Sequence, residues 1–207
     1  MILDYSKNKY KKDISSIANQ KEKQMTDEIV EKLKKYNLSI ETNYKIKNGT
    51  KDLAEYDMLA FDNEKNDLYI CEFEWYFVGD GEKEHKRLDD KIKEAIKHRH
   101  NKNKYILDNP QKICDELFDK KKVNNVYEIL ISQNFSGTSK HDMTVIDFET
   151  LQWSIERYEI FKELMGYFLT GEYRESIPVE DIIVDAEIEG YKFRFYRMCI
   201  SNNNGRI

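Results

Sequence analysis

Proline and glycine are scarce in this chain, at 2 and 8 of its 207 residues. So few break signals leave little room for long linkers. The length suits one domain, since domains commonly run ~100–200 residues. Cysteine is too rare for a disulfide framework. Cys71, Cys114 and Cys199 are odd in number and widely spaced. They lack the paired spacing of a zinc site and fit reduced thiols in a cytosolic protein. No apolar run nears the ~18 residues of a membrane span, and the first residues hold no signal-peptide core. A cytoplasmic protein with no membrane partner is therefore expected. Positive charge is not in excess: 34 Lys and Arg face 39 Asp and Glu, a net charge of −5. That excludes a wholly basic nucleic-acid coat. It leaves room for a local basic groove, because charge acts over a Debye length of ~10 Å. No Gly-rich phosphate loop, Ser-centred nucleophile motif, dinucleotide fingerprint or internal repeat is present.

What the chain does have is charge, at 35% of residues, combined with clearly periodic apolar segments. A chain of this size removes more than about 65% of its unfolded surface from water, enough for a real core. A helix is predicted from Gln20 to Tyr36, with Met25, Ile29, Leu33 and Tyr36 as its apolar stripe and Glu28 at the stripe's border. Before it, Lys7, Lys9, Lys11 and Lys12 form a basic cluster on a short helix or an arm. Leu38 to Lys47 reads as a strand, and Asn48-Gly49 is a strong hairpin signal. After a break at Gly79 to Gly81, a helix runs from about Glu82 to Asn101 on Leu88, Ile92, Ala95 and Ile96. Asn109-Pro110 opens another, to about Lys120. Val126 to Ser132 and Met143 to Asp147 read as strands, with a polar loop containing Gly137 between them. Thr150 to Gly171 reads as one helix. In the final segment, a turn at Glu189-Gly190 sets Glu187 across from Lys192 and Asp185 across from Arg194. The tail from Ser201 is polar and expected to fray. The whole predicts an α/β fold with a mixed central sheet flanked by helices. It is read as one domain over 1–207, with a core of about 20–150 and a C-terminal helix and hairpin over 150–200.

The chemistry concentrates between Glu55 and Trp75. Two strands are predicted there, joined by a polar turn from Asp62 to Asp67. A symmetric turn pairs Phe61 with Leu68, Leu59 with Ile70, Asp57 with Glu72 and Glu55 with Glu74. One face then passes from apolar to acidic, and four carboxylates share a patch. Like charges opposite one another cost roughly 0.2–1 kcal/mol per pair. A divalent cation offsets that repulsion most simply. Asp57 and Glu72, on neighbouring strands, can share one Mg²⁺ or Mn²⁺, ions that prefer oxygen ligands. Such an ion lowers the pKa of a bound water and stabilises charge on a phosphoryl oxygen. Glu74, two residues on, is placed to assist that water. The plainer reading is an exposed acidic hairpin face.

The run Glu55-Tyr-Asp57 … Leu68-Tyr-Ile-Cys-Glu72-Phe-Glu74-Trp75 resembles the PD-(D/E)xK nuclease superfamily, with its restriction-endonuclease-like fold. The resemblance spans roughly residues 22 to 150. It implies Asp57 as the first metal-binding Asp, Glu72 as the acidic ligand of the E-x-K element, and Glu28 as an acidic residue that some members use. Glu74 departs from the pattern, which expects Lys there. That leaves two readings open: Glu74 acts on the water or metal, or the site has lost its Lys and catalyses nothing. A Lys from the next helix, Lys91 or Lys93, is a further substitute.

That next helix is also where the chain is locally basic. Between His85 and Lys104 stand eight Lys or Arg against three Asp or Glu. It is either a solvated face or a phosphate-binding one, with Lys86, Lys93, Lys97 and Arg99 as the nucleic-acid contacts. The expected function is thus Mg²⁺- or Mn²⁺-dependent cleavage of nucleic acid, DNA first, by a monomer or a homodimer. The alternatives are an inactive nuclease-like domain that binds nucleic acid, or a partner protein that assembles through its C-terminal hairpin.

Overall fold

Alternating apolar residues and well-placed turns build a five-stranded sheet in the computed structural model. Residues 8–48, 51–76, 82–119, 122–133, 143–171, 179–188 and 191–200 are described. The expectations for Lys7, Gly49, the Gly79–Gly81 break, the Gly137 loop, Gly190 and the tail from Ser201 lie outside them, as does the side chain of Lys86. The chain divides into two compact units, Met1–Leu164 and Met165–Ile207. No helix among the described residues is long and apolar enough to cross a membrane.

The first unit opens with helix α1, Asn8–Leu33, which starts well before the predicted Gln20. Its stripe behaves as the spacing requires: Met25, Ile29, Leu33 and the following Tyr36 are all buried. Strands β1 (Leu38–Asn48), β2 (Lys51–Asp62) and β3 (Asp67–Glu74) follow as an antiparallel meander. The β2–β3 turn works through Asp62, whose carboxylate accepts from the backbone N–H of Glu64 (2.8 Å) and of Lys65 (3.2 Å). Asn66 there takes a left-handed φ of 58°, which Asn tolerates better than most residues. Helix α2 (Glu82–Asp108) is longer than the spacing suggested; it gives way at Asn109 to α3 (Pro110–Leu117), as the proline demands.

Strands β4 (Asn125–Ser132) and β5 (Thr144–Asp147) then add in parallel, giving the order β1-β2-β3-β4-β5 and a mixed sheet. The fold is α/β. On one sheet face, Leu59, Phe61, Leu68 and Ile70 pack against Ile106, Ile113, Cys114 and Phe118 from α2, α3 and the residue that follows. Further along, Leu130 and Val145 pack against Leu88, Ile92 and Ala95 of α2. On the opposite face, Tyr69 stacks on Tyr127 and meets Phe161 edge-on.

The single helix expected over Thr150–Gly171 is two helices, α4 (Phe148–Arg157) and α5 (Phe161–Leu169). The break has a tertiary cause. Tyr36 Oη donates to the carbonyls of Ile155 (3.2 Å) and Tyr158 (2.6 Å), and Lys35 Nζ donates to Tyr158 as well (2.8 Å). Carbonyls captured from outside need no helical partner, so the backbone turns away at an extended Tyr158 (ψ 124°). The second unit holds the end of α5 and an antiparallel hairpin, β6 (Val179–Ile188) with β7 (Tyr191–Ile200). Its register sets Asp185 across from Arg194 and Glu187 across from Lys192, as the charge pattern predicted.

Candidate functional site

The site begins where two strands part. The β2–β3 ladder runs from Asp62 and Asp67 through Phe61–Leu68 and Leu59–Ile70, the register expected, and ends at Met58–Cys71. Strand β3 stays paired to β4 on its other side as far as Glu74 and Ser132. The β1–β2 ladder passes from Thr42–Met58 to Tyr44–Tyr56, skipping Asn43, which adopts a left-handed φ of 54° opposite Asp57. The gap is bridged by a side chain: Asp57 Oδ2 accepts from the Phe73 N–H at 2.9 Å. A backbone donor freed by the parting strands thus recruits a carboxylate.

Glu72 and Glu74 flank Phe73 on β3, and both meet α2. Glu72 is fully buried, Glu74 mostly so. Arg99 Nη2 lies 2.6 Å and Nε 3.2 Å from Glu74 Oε1, while Nη1 lies 3.3 Å from Glu72 Oε2. Lys102 Nζ contacts Glu72 Oε1, donates to the Glu55 carbonyl at 2.7 Å and stands 4.8 Å over the Tyr56 ring. Each Glu72 oxygen thus has its own cation, Oε1 with Lys102 and Oε2 with Arg99. From α1, Glu22 Oε1 accepts from the Trp75 N–H at 3.1 Å.

Four carboxylates, Glu22, Asp57, Glu72 and Glu74, therefore face two cations, an excess of two negative charges when all are ionised. The titration behaviour follows. Burial, then the charge of Asp57, pushes Glu72 up to about 7 against the pull of Lys102 and Arg99. Burial also pushes Glu22 up to about 7, with Glu74 and Asp57 adding to the effect and the Trp75 N–H and Arg99 opposing it. Lys102 is held below its ordinary value by desolvation, which outweighs Glu72. Arg99 loses by its desolvation but gains more from Glu72 and Glu74, so its guanidinium stays charged. Tyr76 is pushed up by burial, then by Glu74 beside it.

Several expected site residues lie elsewhere. Glu55 pairs with Lys45 at 3.1 Å, so it is not a fourth member of the acidic patch. Glu28 bonds Gln24 and Gln152, each at 2.8 Å. Six helical residues separate it from Glu22, which is about 9 Å along the axis and a different face. Arg99, expected on the nucleic-acid surface, is instead bound to Glu72 and Glu74. Lys93 and Lys97 are exposed on α2, and Lys91 stands 5.5 Å over the Tyr76 ring rather than at Glu72. His100 is tied through Nδ1 to Glu128 at 2.9 Å.

Glu22 and Lys102 are the residues that motif reading missed, and both carry a periodic signal. Glu22, Met25 and Ile29 share one helical face. Leu88, Ile92, Ala95, Arg99, Lys102 and Ile106 recur at alternating steps of four and three, a single stripe in which two cations interrupt apolar residues.

Asp57 and Glu72 offer the carboxylate oxygens that a hard cation would use, and both Glu72 oxygens are at present ion-paired, to Lys102 and Arg99. Among the described residues no three His, Cys, Asp or Glu side chains gather as a metal cluster. Mg²⁺ does not require that, since it commonly takes one or two carboxylates and keeps several waters. Comparison with known proteins finds no matching family model, curated protein or solved structure.

Proposed function

We propose that the protein is a metal-dependent nuclease of the PD-(D/E)xK kind, with a restriction-endonuclease-like core, that hydrolyses phosphodiester bonds in DNA. The observation that carries the reading is Glu72. It is wholly buried, lies between Lys102 and Arg99, and is within the influence of Asp57. A fully buried carboxylate with a raised pKa beside a second acid is the kind of arrangement that marks a functional site. The order helix, three-strand meander, helix, parallel strand also agrees with the resemblance.

In this reading Asp57 and Glu72 would hold Mg²⁺ or Mn²⁺, which would supply a water of lowered pKa and charge stabilisation at a phosphoryl oxygen. Lys102 supplies the cation that the pattern expects where Glu74 stands, reaching Glu72 from the following helix. Its depressed pKa still leaves a donor beside the scissile phosphate. Glu74 accepts twice from Arg99, which fixes its carboxylate toward α2. Glu22, raised to about 7, is matched to take a proton near neutral pH. Lys93 and Lys97, exposed on α2, neutralise flanking phosphates. Incubating purified protein with plasmid DNA or RNA and Mg²⁺ or Mn²⁺ tests this. Cleavage lost in Glu72→Ala and Lys102→Met is expected; cleavage unchanged in Glu72→Ala, or none by the native chain with either ion, overturns it.

A second reading has one observation in its favour. Arg99 and Lys102 already satisfy much of the charge on Glu72 and Glu74. A nuclease-like domain that binds nucleic acid without cutting it would look the same. Its mark is salt-sensitive binding that needs no metal.

A further inference from the structure

Arg99 is an odd residue for its place. It stands in the buried stripe of α2, where its neighbours one turn away are Ala95 and Asn103, and its three donor nitrogens all point to Glu72 and Glu74. A guanidinium is a planar fork that fits a carboxylate or a phosphate equally well, and it does not lose its charge. Lys102 is anchored three ways, to Glu72, the Glu55 carbonyl and the Tyr56 ring. Arg99 is anchored by the two carboxylates and is the more exposed of the pair, at 26% against 17%.

Building on the function proposed above, we infer that Arg99 is an internal counter-ion that a divalent cation displaces from Glu72, and that the released guanidinium takes a phosphate of the nucleic-acid substrate. The geometry gives the reason. A divalent ion bound by Glu72 sits ~2 Å from a carboxylate oxygen, where the Arg99 Nη1 now lies 3.3 Å from Oε2. Two positive groups cannot share that oxygen without strong repulsion. Without metal, Arg99 keeps the buried acids compensated, so the fold does not depend on the ion. With metal, the acids have a better partner, and a permanently charged fork at the rim seeks another oxyanion. Metal and phosphodiester then favour each other's binding, because each relieves a cost the other creates.

The test uses the full chain with Mn²⁺ and Mg²⁺ as probes. Calorimetric titration compares native protein, Arg99→Met and Lys104→Met, the last removing an exposed charge from the same helix. Arg99→Met is expected to bind Mn²⁺ about tenfold tighter or better, and Lys104→Met about as the native chain does. In Ca²⁺, Arg99→Met is expected to lose about tenfold in affinity for a labelled DNA duplex, more than Lys104→Met loses. In the native chain, the Arg99 Nε–H resonance is expected to move and exchange faster when Mg²⁺ is added. That measurement needs no variant and stands even if Arg99→Met does not fold. Equal effects of the two variants in either titration, or an unmoved Nε–H signal while Mn²⁺ binds, overturn the inference and leave the nuclease reading intact. No Mn²⁺ binding by the native chain or Arg99→Met removes the metal reading, and the inference with it.

Discussion

Replacing Lys102 with Met tests the electrostatics of the site without touching its packing. Met keeps an unbranched stem of similar reach, so the loss is of the ammonium and its contacts with Glu72, the Glu55 carbonyl and the Tyr56 ring. Glu72 is fully buried, and Lys102 is one of two cations on it; the other, Arg99, is 3.3 Å away and shared with Glu74. Removing one partner of a buried pair costs ~3–5 kcal/mol, because a charge is left uncompensated. Lys102 is itself held below its ordinary pKa by burial. Its removal returns part of that desolvation cost, and Glu72, at about 7, can instead take up a proton, which limits the loss at pH 8 to about 1.4 kcal/mol. For a chain of this size that is a fall of roughly 3–6 °C in Tm. The loss depends on pH in a definite direction. Glu72 is pushed up to about 7 even with Lys102 beside it, so at about pH 5 it is protonated and needs no cation, whereas at about pH 8 it must stay an unpaired anion or bind a proton against the pH. Urea unfolding followed by Trp75 and Trp153 fluorescence at the two pH values measures this; both tryptophans lie in the first unit. Adding Glu72→Gln to Lys102→Met should recover most of the loss. A Lys102→Met protein within about 0.5 kcal/mol of native at the higher pH, or equally destabilised at both, would refute the argument, since a buried anion must respond to protonation.

Other expectations follow from the same contacts. Glu22, raised from 4.5 to about 7, binds more protons in the folded than in the unfolded state across that window, so its contribution to stability falls as pH rises through it; Glu22→Gln should flatten the decline in a Tm series, and an unchanged slope would count against the assignment. Tyr36→Phe removes the hydroxyl that captures the Ile155 and Tyr158 carbonyls, and urea unfolding should register a loss of about 1–3 kcal/mol. Asp147 caps α4 by accepting from the Thr150 N–H at 3.0 Å; Asp147→Ala should cost about 1 kcal/mol by the same measurement, and no change would mean the cap contributes nothing.

The acidic hairpin was legible because its determinants are local. A turn from Asp62 to Asp67 and strict alternation set Phe61 across from Leu68, and two-residue spacing put Glu72 and Glu74 on one face. The β6–β7 register was legible for the same reason, through Asp185 with Arg194 and Glu187 with Lys192. The α1 stripe was readable too, from Met25 to Tyr36. Symmetric extension of the β2–β3 ladder failed beyond Met58, where the strands part and Asp57 bonds the Phe73 N–H instead.

By itself, then, the sequence determined most of the elements, the β2–β3 register as far as Leu59 with Ile70, and the strand positions of Asp57, Glu72 and Glu74. These depend on periods of two and 3.6 residues and on turn chemistry, which neighbouring residues encode. Only the tertiary structure decided what surrounds them. Glu22 rather than Glu28 reaches the site, because the rotation and height of α1 over the sheet choose between two acids on one helix. Arg99 and Lys102 turn inward because α2 packs with that stripe against β3, so residues that read as a basic surface became counter-ions to a buried carboxylate. Helix docking sums many distant apolar contacts, from Leu88 to Ile106 on α2 alone, and no local window of sequence contains that sum.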